Sequence, residues 1–138
     1  MELRLLCVKE ATGDKANSPS EVWKLMSDEA LADRECFWVL HLNTKLQIIE
    51  KELVAMGALD HAVVHPREVF RKAVINSTAR IITVHNHPSG STEPSSEDLS
   101  TWEKLKAAGE ILGIGVADNL IITKNGYSSQ KEGGGNGL

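Results

Sequence analysis

The residues best able to do chemistry in this chain lie in His85-Asn86-His87-Pro88-Ser89-Gly90-Ser91-Thr92-Glu93-Pro94-Ser95-Ser96-Glu97-Asp98. Side chains two apart on a strand project to one face, so His85 and His87 can offer two imidazoles to one cation. Pro88, Ser89 and Gly90 turn the chain sharply, and a helix starting near Ser95 returns the carboxylate of Asp98 from its first turn. Two imidazoles and a carboxylate, with a fourth corner left for water, are the donor set of a catalytic zinc site. A bare HxH pair arises often by chance on solvated surfaces. The tight turn, the capped helix and the Asp inside it make this one far more specific. Ser95 and Asp98 also have a purely structural use as a capping box, and the two uses are compatible. Asn86 points to the opposite strand face and is expected to be structural, while Ser89 is expected to hold the loop through its hydroxyl.

These side chains require a strand, a turn and a helix in that order. Ala79 to His87 reads as the strand, β-branched through Ile81-Ile82-Thr83-Val84. Ser95 caps a helix reaching about Leu112, with Leu99, Trp102, Leu105 and Leu112 at helical spacing, and Gly113 and Gly115 break it. Val116 to Thr123 is a further strand, and Asn125-Gly126 is a hairpin signal. Upstream, Ser18-Pro19-Ser20-Glu21 has the form of a helix start, predicting about ten helical residues through Val22, Leu25 and Met26. Cys36 to Leu42 and Gln47 to Met56 read as strands joined by a turn at Asn43-Thr44-Lys45, hence antiparallel. Gly57 ends the second, and Ala62-Val63-Val64 is a short strand. His65-Pro66-Arg67-Glu68 opens a helix with Val69, Phe70, Ala73 and Val74 on one face. The expected fold is α/β, a mixed sheet flanked by helices.

The chain as a whole sets outer limits. Its 138 residues fit one domain, and 41% hydrophobic with 25% charged residues is the balance of a soluble globular protein. A net charge of −4 weighs against a module that holds nucleic acid through its own electrostatics. Cys7 and Cys36 have no CxxC partner and read as reduced thiols rather than a disulfide or zinc ligands. No apolar run is long enough for a membrane span, and the first residues do not form a signal peptide, so a cytoplasmic location is expected. His41, His61 and His65 are expected at surface or capping positions. Lys45, Arg67, Arg71 and Lys72 are expected on solvated faces, and Trp23, Trp38 and Trp102 in the core.

The pattern H-x-H, seven residues, Ser, two residues, Asp resembles the JAMM motif of the JAB/MPN metalloprotease superfamily. The form HNHPSG…EPSSED, with VVHPREVF upstream and LKAAGEILGIGVADNLII downstream, is similar to the RadC family over roughly residues 18–130. That divides the chain into an N-terminal extension (1–17), a JAB/MPN domain with a cytidine deaminase-like core (18–130) and a Gly-rich tail (131–138). RadC proteins often carry a helix-hairpin-helix module in front, so a short form or isolated catalytic domain is expected. The resemblance implies zinc on His85, His87 and Asp98, Ser95 near the substrate oxyanion, and a glutamate acid/base on an earlier strand. Glu50 and Glu52 have the right parity. The family places its glutamate five residues before the Gly that ends the strand, which selects Glu52. RadC sequences commonly have Asp-His where this chain has Asp118-Asn119. The implied activity is peptide or isopeptide hydrolysis of a protein or peptide substrate. The alternatives are the DNA-repair association traditionally attached to the family and a non-catalytic binding module. A homo-oligomer is left open.

Overall fold

In a computed structural model the described residues are 14–57 and 64–131. Two clusters of buried side chains sandwich one sheet. Its five strands run in the order β2-β1-β3-β4-β5, with β1 Cys36–Leu42, β2 Ile48–Met56, β3 Arg80–Asn86, β4 Gly115–Ile122 and β5 Tyr127–Ser129. The β1–β2, β1–β3 and β4–β5 pairs are antiparallel, while β3 and β4 are parallel. A parallel neighbour needs a crossover, which α3 (Ser96–Leu112) provides. The expected α/β class with a mixed, helix-flanked sheet is observed.

One side of the sheet packs on α1 (Pro19–Leu25) and the 3-10 turn Glu29–Leu31, where Val22, Met26 and Ala30 meet Trp38, Leu40, Ile82, Val84 and Leu120. The other packs on α2 (Pro66–Ile75) and α3, where Val69, Phe70, Ala73 and Leu105 meet Phe37, Val39 and Ile81. Helices on both sides leave β1 without a solvent face, and all seven of its residues are buried.

That burial corrects an expectation. His41 was expected at the surface and is fully buried. Its imidazole is satisfied from neighbouring elements, by Glu52 Oε1 at 2.9 Å from Nε2 and by Thr78 Oγ1 at 3.5 Å from Nδ1. His65 does occupy the cap position of α2, without a side-chain cap bond. The buried stripes of the helices are narrower than the spacing predicts. Val74, Leu99 and Leu112 are exposed, while α3 buries Trp102 and Leu105 as expected, with Gly109 beside them. Gly109 is there because a Cβ would lie 2.5 Å from the Ile114 carbonyl oxygen. Trp38 and Trp102 are in the core, but Trp23 is half-buried and donates its indole N–H to the Thr123 carbonyl at 2.9 Å. The first helix covers seven residues rather than about ten before the 3-10 turn follows. Cys36 is a free buried thiol. Cys7, His61 and the short strand expected around Ala62 and Val63 lie outside the described residues, and Val64 is not in a strand.

Candidate metal centre

The site forms at the carboxyl end of β3, where the chain leaves the sheet to enter α3. His85 is the penultimate strand residue and faces the α2/α3 side, stacked on Phe37 of β1 with ring centroids 5.9 Å apart and planes at 14°. His87 lies just past the strand, its backbone N–H bonded to the Ile122 carbonyl of β4 at 3.1 Å. The turn that follows is held by Ser89, whose Oγ accepts from the Ser91 N–H at 3.3 Å. The loop reaches Ser95, and the capping box forms as expected. Ser95 Oγ accepts from the Asp98 N–H at 3.0 Å, and Asp98 Oδ2 accepts from the Ser95 N–H at 2.8 Å.

These constraints bring one ligand atom each of His85, His87 and Asp98 within 4.8 Å of one another. Asp98 Oδ1 lies 3.2 Å from His85 Nε2, and Asp98 Oδ2 lies 3.3 Å from His87 Nε2. His87 Nδ1–H donates to the Ser91 carbonyl at 2.8 Å, which fixes the tautomer that leaves Nε2 for a ligand. The decisive feature is His85. It is 2% exposed, and neither of its ring nitrogens makes a hydrogen bond, although Asp98 Oδ1 lies 3.2 Å from Nε2. A buried imidazole without partners is costly, and a cation at the centre of the triad would satisfy it. The residues present fit a divalent metal.

The electrostatics agree with that fit. Burial alone would raise the Asp98 pKa, but the imidazoles of His85 and His87 beside it, with the Ser95 N–H, hold it well below the usual carboxylate range. Burial alone would lower His87. Its bonds to Asp98 and the Ser91 carbonyl, together with the charges of Asp98 and Glu35, outweigh burial and raise it.

His87 and Asp98 line a cleft of about 320 Å³ together with Glu35, Ser89, Ser91, Glu93, Ser95 and Glu97. The structure therefore brings together four of the residues singled out from the sequence: His85, His87, Asp98 and Ser95. It does not put Glu52 on this cleft, since the Glu52 carboxylate is bound by His41, and Glu50 Oε2 is taken by Lys72 Nζ at 2.7 Å. A carboxylate that does line the cleft from the β1 side, Glu35, is not among the residues singled out from the sequence. It precedes β1, and continuing the Phe37↔His85 register by two residues sets it opposite His87. Only knowledge that β1 pairs with β3 would have revealed it. Asn119 is buried and accepts from Thr83 Oγ1 at 2.8 Å, on the sheet face that carries His85.

Among known proteins, the family model described as RadC-like JAB domain matches residues 16–135. A UPF0758 protein of Methanosarcina mazei is 43% identical over 132 residues, covering 95% of this chain and 58% of that protein. One from Listeria monocytogenes is 45% identical over 132 residues, covering 95% and 59%. One from Thermotoga maritima is 40% identical over 125 residues, covering 91% and 56%. The chain thus spans less than two thirds of the length of the curated relatives it matches.

Proposed function

Since this chain belongs to the family of RadC-like JAB domains, we propose that it is a zinc-dependent hydrolase that cleaves peptide or isopeptide bonds. The observation that carries this reading is the buried His85 imidazole, whose nitrogens make no hydrogen bond, grouped with His87 and Asp98, which line an open cleft. Two imidazoles and a carboxylate suit zinc with one position left open. A zinc ion held there supplies Lewis acidity and makes hydroxide available near neutral pH.

The remaining chemistry falls to the chain's own groups. A proton acceptor must lie within hydrogen-bond reach of the attacking water. Glu35 meets that need better than Glu52, because it lines the cleft and its charge acts on His87, whereas Glu52 is engaged by His41. Glu35 accepts the water proton and returns it to the leaving amine. Ser95 uses a lone pair of its Oγ to cap α3, so its hydroxyl proton can turn to the oxyanion that develops on the carbonyl. One such donor is worth roughly 2.7–4 kcal/mol where measured. A peptide also suits the cleft better than a nucleic acid does. Its walls carry the carboxylates of Glu35, Glu93, Glu97 and Asp98 and no Lys or Arg among the described residues, and a phosphodiester backbone would be repelled.

Zinc analysis by mass spectrometry should find about one ion per chain, lost in His85→Ala, His87→Ala and Asp98→Ala. Glu35→Gln should keep the zinc and lose at least about 100-fold in hydrolysis of a mixed pool of internally quenched peptides. Glu52→Gln should retain most of the rate. Retention of zinc by all three ligand variants, or cleavage of labelled DNA in place of peptides, would overturn the proposal.

A further inference from the structure

Asn86 sits between the two imidazole ligands in the chain, yet its side chain leaves β3 on the opposite face and is fully buried. Its Oδ1 accepts from the Cys36 N–H at 2.8 Å. Its Nδ2 donates to the Arg34 carbonyl at 2.9 Å and to the Ala32 carbonyl at 3.4 Å. Three main-chain groups of the short segment 32–36 therefore converge on one carboxamide. Only a group with an acceptor and two donors on one flat fork can serve all three. Aspartate has the shape without the donors, and serine lacks both the reach and the second donor.

Glu35 lies between two of the gripped residues, Arg34 and Cys36. Its own carbonyl accepts from the Gly57 N–H at 2.8 Å, so β3 and the end of β2 clamp its backbone from two sides. At Phe37 the same segment enters β1 and stacks on His85. The strand that carries His85 thereby also holds, through one side chain, the segment that contains Glu35.

We infer that Asn86 is a positioning residue that sets the distance between the Glu35 carboxylate and the His85–His87–Asp98 centre. This inference rests on the reading above, in which Glu35 accepts the water proton. Proton transfer tolerates little slack, and a misplacement of about 1 Å can cost about 100-fold. The Asn86 carboxamide bonds to the 32–36 segment and to none of the ligand side chains, and Asn86 does not line the cleft. Its loss should therefore act on Glu35 and not on metal content.

The test compares the parent chain with Glu35→Gln, Asn86→Ala, Asn86→Asp and the Glu35→Gln/Asn86→Ala double variant, each in zinc- and cobalt(II)-loaded form. In both Asn86 variants metal per chain is expected to stay at the parent value. The visible spectrum of the cobalt form should move to that of Glu35→Gln, and the Cys36 amide should exchange faster with deuterium. Hydrolysis of the quenched peptide pool should fall about 100-fold in kcat with KM kept, and the double variant should lose no more than Glu35→Gln alone. A parental cobalt spectrum in Asn86→Ala, full activity in the isosteric Asn86→Asp, or additive losses in the double variant would overturn the inference. Failure of both Asn86 variants to fold would overturn it as well, by making Asn86 a support of the fold rather than of the site. If Glu35→Gln itself left the cobalt spectrum and the turnover unchanged, the assignment of Glu35 would fall first, which is a distinct result.

Discussion

At the scale of single residues, the site is a competition between a cation and protons for the same side chains. His87 Nε2 and Asp98 Oδ2 lie 3.3 Å apart, with the imidazole pKa raised and the carboxyl pKa lowered. The raised His87 stabilises the fold below its unfolded value and loses that effect as pH rises through its folded value. The lowered Asp98 acts in the opposite sense, losing its effect as pH falls. Both contributions are present in full between about pH 4 and 6.5. Zinc requires the neutral imidazole, so it must displace the proton on His87. Zinc affinity, measured by chelator competition, should therefore climb as pH rises through the raised His87 value, above the ordinary imidazole value of about 6.5. Glu35→Gln removes one of the charges that raise His87 and should shift that climb to lower pH. A flat profile would count against a protonated His87 in the metal-free state.

At the scale of elements, the first turn of α3 does two tasks with one set of atoms. The capping box satisfies orphan amides of the helix start, and it holds Asp98 facing the histidines. Ser95→Ala removes the oxygen that receives the Asp98 N–H. The expected cost is about 1 kcal/mol of stability, seen as a lower melting temperature in the metal-free protein. Zinc affinity should weaken about 10-fold or more because an outer partner of a ligand is lost. An unchanged zinc affinity would mean that Asp98 is oriented without its cap. β1 shows the complementary case, an element in which no position faces water. His41 can stay buried there only because β2 and the residues before β3 lend it Glu52 and Thr78.

At the scale of the whole molecule, the sheet order decides which segments meet. The crossover through α3 makes β4 parallel to β3, and the antiparallel pairing of β1 with β3 lays the start of β1 against the end of β3. A metal bound by His85, His87 and Asp98 would tie the end of β3 to the first turn of α3. Binding to the folded chain alone stabilises it by about 2.7 kcal/mol when free zinc is 100 times the Kd. Thermal unfolding in excess zinc should thus occur about 10 °C higher than after chelation, and His85→Ala should show no such shift. An equal rise in His85→Ala would place the stabilising zinc elsewhere.

Local patterns were enough for the sequence to define the pieces. The β-branched run to His85, the Ser95 cap and the Asn125-Gly126 turn depend on neighbours a few residues away, and each element stands within a residue or two of its expected place. The ligand trio was legible for the same reason, since strand parity and one helical turn span the distance from His85 to Asp98. Long-range pairing was not legible. Whether Glu35, Glu50 or Glu52 faces the cleft turns on which strands lie beside β3 and in what register, and no local periodicity encodes that. Tertiary structure alone delivered Glu35 to the cleft, gave Glu52 to His41 and joined Asn86 to the segment ahead of β1.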